Sequence, residues 1–379
     1  MKNIQMVDLH SQYLTMKEEI DGAIQQVIDE SSFIKGSAVK NFAVSFAEYN
    51  KVKNVVTCGN GTDALQIALM ALDLKKGDEV IIPAHTYVAT AEAIALLGLT
   101  PVLVDVDLDT FNIDVEQIEE KITNATKAIV PVHLYGQCAN MENLLKIAQE
   151  HNLKIIEDTA QALGATYTFS NGKKSKAGTM GYIGTTSFFP TKNLGCFGDG
   201  GALLVNDEIL SEKINMIANH GQRVKYHHDL IGCNSRLDTI HAAVLNVKLA
   251  YLDEAIAKRQ KAAMVYTNGL KELEGIEIPQ NTPFSTHSYH QYTLKINNRE
   301  RDIVKSELLK KGIPSMIYYP VPIHLQKGYQ QYGYKKGDFP IAERLAEIVL
   351  SIPIYPDIPV DQQIYIIDSL TEIMKKTNT

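Results

Sequence analysis

The residues best suited to chemistry lie in four short stretches. Lys192 sits in Thr186-Ser187-Phe188-Phe189-Pro190-Thr191-Lys192-Asn193-Leu194-Gly195, between apolar residues and glycines. A lysine withdrawn from water by such neighbours becomes a neutral, nucleophilic amine, whereas one on an exposed loop stays an ordinary ammonium. Glu157-Asp158-Thr159-Ala160-Gln161 follows the apolar run Lys154-Ile155-Ile156. Ligands of open α/β sheets bind at the carboxyl ends of the strands, where a carboxylate can hold a protonated ring nitrogen. Asp158 and Gln161 equally have the spacing of a capping box, with Asp in place of Ser or Thr.

The third stretch is Cys58-Gly59-Asn60-Gly61-Thr62-Asp63-Ala64-Leu65, between the short strand Val55-Val56 and an apolar helix. Glycines let backbone approach a ligand, and a helix N-terminus offers unpaired N–H groups to an anion. A capped strand-to-helix turn with no ligand reads the same way. The stretch lacks the lysine of a P-loop and the spacing of a dinucleotide fingerprint. The fourth, Gly232-Cys233-Asn234-Ser235-Arg236-Leu237-Asp238, precedes a long helical pattern. Arg236 can grip a carboxylate or phosphate in a fork, while Asn234 or Asp238 can simply cap the helix. His220, His227, His228 and His241 have no metal-ligand spacing and read as packing, interface or substrate contacts.

The elements that must position these groups alternate. Strands are expected at Glu79–Pro83, Pro101–Val106, Ala128–Val132 and Lys154–Ile156, with helices at Ala91–Leu97, Val115–Ile122 and Met141–His151 between them. That rhythm implies right-handed crossovers and a mainly parallel sheet, and the near-continuous apolar strands imply helices on both faces. Past Asp238 the pattern changes to one long helix from Thr239 to about Leu273, a strand at Gln291–Ile296, a helix at Asp302–Lys311, proline-punctuated loops and a last helix at Asp361–Met374. The expected division is a large α/β domain over 1–245 and a smaller α+β domain over 246–379.

Composition narrows the function. Lys and Arg number 37 against 44 Asp and Glu, for a net charge of −7, and no run of five like charges suggests nucleic-acid binding. No apolar run reaches membrane-span length and no secretory signal core opens the chain, so a cytoplasmic enzyme is expected. Cys58, Cys138, Cys196 and Cys233 form no C-x-x-C pair, and free thiols are expected rather than a disulfide or zinc site.

Taken in order, the stretches resemble the DegT/StrS family of sugar aminotransferases, on Gly61-Thr62-Asp63-Ala64-Leu65, Glu157-Asp158-x-x-Gln161, Ser187-Phe188 with Lys192, Gly198-Asp199-Gly200-Gly201 and Asn234-Ser235-Arg236-Leu237. The resemblance runs from Asp8 through Tyr319-Pro320-Val321-Pro322. It implies the type I fold of pyridoxal 5'-phosphate transferases and that cofactor. It implies that Lys192 carries the cofactor and moves protons, that Asp158 holds the pyridinium nitrogen, and that Gln161 bonds the ring oxygen. Tyr87 would stack on the ring, and Gly61, Thr62 and Ser187 would hold the phosphate. Asn234 would reach the phosphate of a neighbouring subunit, which implies a homodimer with shared sites.

The implied reaction takes an amino group from glutamate and places it on a ketone of a nucleotide-linked sugar. One branch of the family has histidine in place of the lysine and acts as a dehydratase; Lys192 favours transamination. Asn219-His220-Gly221-Gln222 through Lys225-Tyr226-His227-His228 is most similar to enzymes of UDP-2-acetamido-3-oxo sugars, particularly the uronate, of surface polysaccharide biosynthesis such as O-antigen. Against that, Tyr318 stands where such enzymes often carry His, and Pro322-Ile323-His324-Leu325-Gln326 is similar to the dTDP-3-oxo-6-deoxyhexose branch. A 4-oxo-sugar aminotransferase and a non-catalytic regulatory protein on the same fold are the alternatives. Candidate substrate contacts are Arg236, Tyr318, Tyr319 and His324; no metal site is expected.

Overall fold

Short apolar strands that alternate with helices leave both faces of a sheet to be covered, and the chain folds accordingly. The computed structural model describes residues 4–375. It opens with α1 (Leu9–Thr15), α2 (Lys17–Asp29) and α3 (Ser37–Asn50), followed by β1 (Asn54–Cys58), α4 (Gly61–Ala71), β2 (Glu79–Pro83), α5 (Ala89–Leu96) and β3 (Thr100–Val104). Next come β4 (Thr126–Ile129), α6 (Met141–Glu150), β5 (Lys154–Asp158), a hairpin of β6 (Thr166–Thr168) and β7 (Lys174–Lys176), β8 (Ile183–Ser187), β9 (Gly201–Val205) and α7 (Glu208–Ala218). The seven-stranded sheet has the order β1-β9-β8-β5-β4-β2-β3. From β3 to β8 all neighbours are parallel, and β9 runs antiparallel to both β8 and β1.

Strand alternation divides the apolar side chains between two layers. Val80, Ile82 and Ile156 pack with α4, α5 and α7, whereas Ile81, Ile129 and Ile155 pack with Met141 and Leu144 of α6. Both faces are therefore dry, as the continuous apolar strands require.

A hairpin of β10 (Gln222–Val224) and β11 (His227–His228) leads to α8 (Thr239–Ala250) and α9 (Leu252–Leu270). The single long helix expected here is broken at Tyr251. The two halves serve different cores: Ala242 and Leu245 pack on Phe42 and Phe46 of α3, while Ala262, Tyr266 and Leu270 pack under a second, three-stranded antiparallel sheet. That sheet comprises β12 (Ile276–Glu277), β13 (Tyr292–Ile296) and β14 (Val349–Ile352), accompanied by α10 (Arg301–Lys310), α11 (Pro340–Ile348) and α12 (Val360–Lys375). The helix expected at Val115–Ile122 is instead two 3-10 turns, Val115–Gln117 and Glu119–Lys121. Of its residues only Ile118 is fully buried, too little apolar contact to hold a regular helix.

The loop after β3 ties the two sheets together. Asp105, almost fully buried, accepts from the Ile341 and Ala342 N–H groups at 2.9 and 2.8 Å, capping the first turn of α11. Lys295 of β13, also buried, pairs with Asp109 at 2.9 Å and with Glu277 at 2.7 Å. The Tyr334 hydroxyl accepts from Leu103 N–H and covers the edge strand β3. The four cysteines are unpaired, and no described helix is long and apolar enough to cross a membrane.

Candidate active site

A cavity of about 430 Å³ lies over the carboxyl ends of β1, β2, β5 and β8, and the strand-adjacent residues His290 and Gln291 with the loop residues Tyr318 and Tyr319 wall it from the smaller sheet. Its floor near β1 is built for an anion. Asn60 caps α4 by accepting from Asp63 N–H at 2.8 Å, and Gly61 and Thr62, whose N–H groups have no helical partner, line the cavity. Ser187 at the end of β8 stands against this turn so closely that a Cβ on Gly61 would lie 2.7 Å from the Ser187 Cβ. A Cβ on Gly201 would similarly lie 2.3 Å from the Asn60 carbonyl oxygen. Glycine at these two positions allows the turn, β8 and β9 to converge.

Ser235 braces the same turn from behind. Its hydroxyl accepts from Gly59 N–H at 2.8 Å and donates to Asp63 at 2.6 Å, joining the Gly-Thr-Asp and Asn-Ser-Arg-Leu stretches. Ser235→Ala leaves both groups without this partner, and an expected loss of about 1–3 kcal/mol should appear in urea unfolding. Unchanged stability would mean that water replaces the hydroxyl.

Glu157 and Asp158 point to opposite sides of β5. Glu157, fully buried, accepts from the Gly178, Met180 and Gly181 N–H groups at 2.8, 2.6 and 2.5 Å and from His133 at 2.9 Å. Ala139 N–H donates to His133 Nδ1, so His133 Nε2 carries the proton that Glu157 accepts. This clamp fixes the strand end that presents Asp158 to the cavity. Asp158 accepts from Ala160 N–H and from the Thr90 hydroxyl, each at 3.1 Å. No described helix starts between β5 and β6, and the Asp158 N–H donates to the Pro131 carbonyl oxygen, so Asp158 and Gln161 form no capping box. Burial raises the Asp158 carboxyl above its usual range, against the Ala160 N–H, Lys192 and Thr90, which favour the carboxylate.

Lys192 lines the cavity in the turn after β8. Burial draws its ammonium down to about 8, against the opposing attraction of Asp158. Desolvation thus outweighs the attraction between the two groups in both, and a neutral amine is accessible near physiological pH.

Gln161 accepts from Tyr135 N–H and donates to the Tyr319 hydroxyl, both at 2.9 Å, leaving one amide N–H uncommitted. The Tyr135 hydroxyl in turn donates to the Tyr318 carbonyl oxygen. Tyr87 lies beside Tyr319 with ring centroids 5.7 Å apart and keeps 54% of its surface open. Gly61, Thr62, Tyr87, Asp158, Gln161, Ser187, Lys192, Tyr318 and Tyr319 therefore share one cavity.

Three candidates lie elsewhere. Arg236 lines a separate groove with Lys35, Lys40, Glu208 and Glu212, because Ser235 and Leu237 on either side of it turn inward. Asn234 is exposed and pairs through its backbone with Asn219, away from its own chain's cavity. His324 is buried against Phe339 and pairs with Glu343 at 3.0 Å, so it is a packing residue that does not line the cavity. Of the clustered histidines, His227 and His228 lie on the exposed β10–β11 hairpin, and His241 fills the space beside Gly198. Conversely, sequence reasoning missed Thr86, Thr90, Thr186, His290 and Gln291. The Thr86 and Thr186 hydroxyls and His290 Nδ1 are buried without a protein partner on residues that line the cavity. Such groups are sequence-silent, since Thr and His carry no spacing signal here; only burial distinguishes them.

The family model of DegT/DnrJ/EryC1/StrS aminotransferases matches residues 14–371. The chain belongs to that family. Among relatives, a "Pleiotropic regulatory protein" of Geobacillus stearothermophilus is 45% identical over 98% of this chain and 99% of its own. The UDP-2-acetamido-2-deoxy-3-oxo-D-glucuronate aminotransferase of Pseudomonas aeruginosa is 43% identical over 93% and 95%. The crystal structure of DesV from S. venezuelae superposes with a TM-score of 0.95 at 39% identity, covering all of both chains.

This DegT/DnrJ/EryC1/StrS aminotransferase uses pyridoxal phosphate, and its cavity fits that group. The α4 N-terminus with Ser187 suits a phosphate, the buried Asp158 suits a cationic ring nitrogen, and Lys192 suits a carbonyl carbon. Because only the neutral amine attacks, the family member's apoprotein should take up pyridoxal phosphate faster as pH rises, levelling above about 8. Stopped-flow absorbance measures this; a rise continuing past pH 10 would show an ordinary, hydrated Lys192.

Proposed function

We propose that this chain transfers an amino group from glutamate to the C3 ketone of a UDP-linked 2-acetamido-2-deoxy-3-oxo-hexose or its uronate, in surface polysaccharide biosynthesis. The observation that carries the catalytic part is the desolvated Lys192 facing the buried Asp158 in one cavity. The sugar assignment is supported by the 43% identity to the P. aeruginosa enzyme over nearly the full length of both chains.

Bound pyridoxal phosphate supplies an electron sink for the carbon that loses and regains its proton. The chain supplies the rest. Lys192 carries that proton at Nζ. Asp158 keeps the ring nitrogen charged, braced by Thr90 and Ala160. Gln161 offers its remaining N–H to the ring oxygen, and Tyr87 covers one ring face. Gly61, Thr62 and Ser187 hold the phosphate. Tyr318 and Tyr319 meet the sugar above.

The working unit in this proposal is a cytoplasmic homodimer. Asn234, exposed and outside its own chain's cavity, would complete the phosphate site of a second copy. Phe33, Ile34, Val224, Tyr226 and Ile231 are exposed apolar residues that a second copy would cover in this reading, Tyr226 and Ile231 being 78% and 89% exposed. Within the chain, residues 1–245 would bind the cofactor and 246–379 would form the smaller, substrate-facing domain.

The deciding experiment offers UDP- and dTDP-linked 3-oxo and 4-oxo sugars with glutamate and reads the aminated position by NMR. Amination of the UDP 3-oxo sugars supports the proposal. Turnover confined to dTDP-linked or 4-oxo sugars would replace the substrate. A purified protein that binds no pyridoxal phosphate would favour a regulatory role like that named for the G. stearothermophilus relative.

A further inference from the structure

The residues that line the cavity reach it from separate stretches: Gln161 after β5, Gln291 just before β13, and Tyr318 with Tyr319 in the loop after α10. Tyr135, in the turn after β4, is 2% exposed and does not line the cavity. Each of its three polar groups is nevertheless spent on one of those stretches. Its N–H donates to Gln161 Oε1 at 2.9 Å, its carbonyl oxygen accepts from the Gln291 N–H at 3.2 Å, and its hydroxyl donates to the Tyr318 carbonyl oxygen. Gln161 in turn donates to the Tyr319 hydroxyl at 2.9 Å, which closes a ring of contacts through Tyr135, Gln161, Tyr319 and Tyr318.

We infer that Tyr135 is a positioning residue of the transamination site: its hydroxyl sets the Tyr318–Tyr319 wall against Gln161 and so sets the place of the sugar over the cofactor. The inference rests on the aminotransferase reading above, in which that wall meets the sugar. Tyr135 stands in left-handed backbone, φ +57°, which a residue with a side chain rarely adopts and keeps only where its surroundings enforce it. In that conformation the main chain satisfies Gln161 and Gln291 while the side chain reaches the wall. Its ring packs edge-on against Phe111, centroids 5.1 Å apart, and His85 Nε2 lies 3.3 Å from the hydroxyl. The wall has few other anchors. Met316 pairs with Ser351 of β14, and the Ile323 N–H donates to the Ala84 carbonyl oxygen. Between these points the Val321 and Pro322 carbonyls are bonded locally, by Gln326 and Leu325, whereas the Tyr318 carbonyl is bonded by Tyr135 from the large sheet. That bond, with the Gln161 contact, decides where the two rings stand.

The test uses the cofactor-loaded enzyme and removes the hydroxyl alone. In Tyr135→Phe the main-chain bonds to Gln161 and Gln291 stay, so the cofactor side should be intact while the wall loosens. Phe111→Leu, in the same apolar cluster and without a bond to the wall, controls for lost packing. Calorimetry with UDP-N-acetylglucosamine, an unreactive relative of the proposed substrate, is expected to show Tyr135→Phe weakened by roughly 5- to 10-fold, the loss of one hydrogen bond. Its pyridoxal phosphate affinity and its half-reaction with glutamate, followed by absorbance of the bound cofactor, should keep their parental values. Phe111→Leu should unfold at lower temperature and change none of these. A crystal structure of Tyr135→Phe should show Tyr318 and Tyr319 displaced from their parental positions. Parental binding of UDP-N-acetylglucosamine by Tyr135→Phe would overturn the inference, as would a wall left in place in its crystal structure. So would equal weakening in Phe111→Leu, which would make Tyr135 a part of the core and no more. If glutamate never alters the wild-type absorbance, or the wild type binds no UDP-N-acetylglucosamine, the aminotransferase or the sugar reading fails instead, and the crystal comparison still decides whether Tyr135 holds the wall.

Discussion

Lys192→Ala is expected to lower transamination by at least about ten-thousand-fold, the largest effect of any single change in this chain. Two functions disappear together: the amine that carries the cofactor and the group that moves the proton, which by itself is worth about 10²- to 10⁴-fold. The side chain makes no structural hydrogen bond among the described residues, and burial already disfavours its charge. The variant should therefore fold normally and be slightly more stable without cofactor. It should still bind pyridoxal phosphate through Gly61, Thr62, Ser187 and Asp158, but borohydride would no longer fix the group to the protein. Mass spectrometry after reduction distinguishes the outcomes. Retained covalent labelling would place the reactive amine at another lysine.

Asp158→Asn should follow, with a loss of roughly 10²- to 10⁴-fold in kcat, the equivalent of removing one partner of a buried ion pair at about 3–5 kcal/mol. The amide has the shape of the carboxylate but cannot hold a proton on a ring nitrogen. Its oxygen can keep the Ala160 N–H, and the Thr90 hydroxyl can rotate to accept from the new NH₂. Fold and cavity should thus survive. Burial raises the Asp158 carboxyl above its usual range, so holding the carboxylate there costs stability when no cationic ring nitrogen faces it. Without cofactor, the variant should match or exceed the parent in thermal unfolding, while with cofactor it should gain less. Near-normal kcat would remove Asp158 from its role.

What the sequence made legible follows from what is local. β2 was read to its exact ends, Glu79 and Pro83, because a wholly buried strand is an unbroken apolar run between turn residues. Lys192 and Asp158 stood out because strand ends and glycine-rich turns are written in consecutive residues. Sidedness was harder. Arg236 sits between two inward residues in an extended segment, and extended backbone sends successive side chains to opposite sides. His324 was misplaced because its partner, Glu343, lies in α11 and only the fold brings them together. The break at Tyr251 was invisible for the same reason: two cores share one amphipathic pattern, and only their positions in space require the helix to divide. Thr90 and Tyr135 matter because of which bonds they make, which no residue type announces.

The attachment of Asp105 to α11 and of Lys295 to Asp109 bears on motion. These contacts cross between the two sheets: for the smaller sheet to swing as a hinged lid, the buried Asp105 would lose the α11 N–H groups and Lys295 would keep only Glu277 of its own sheet. The Tyr318–Tyr319 wall is therefore a fixture, anchored to the same scaffold as the cofactor cradle. An enzyme arranged in this way is pre-organised: its selectivity resides in a cavity already shaped before substrate arrives, and tightening around a ligand has little to add.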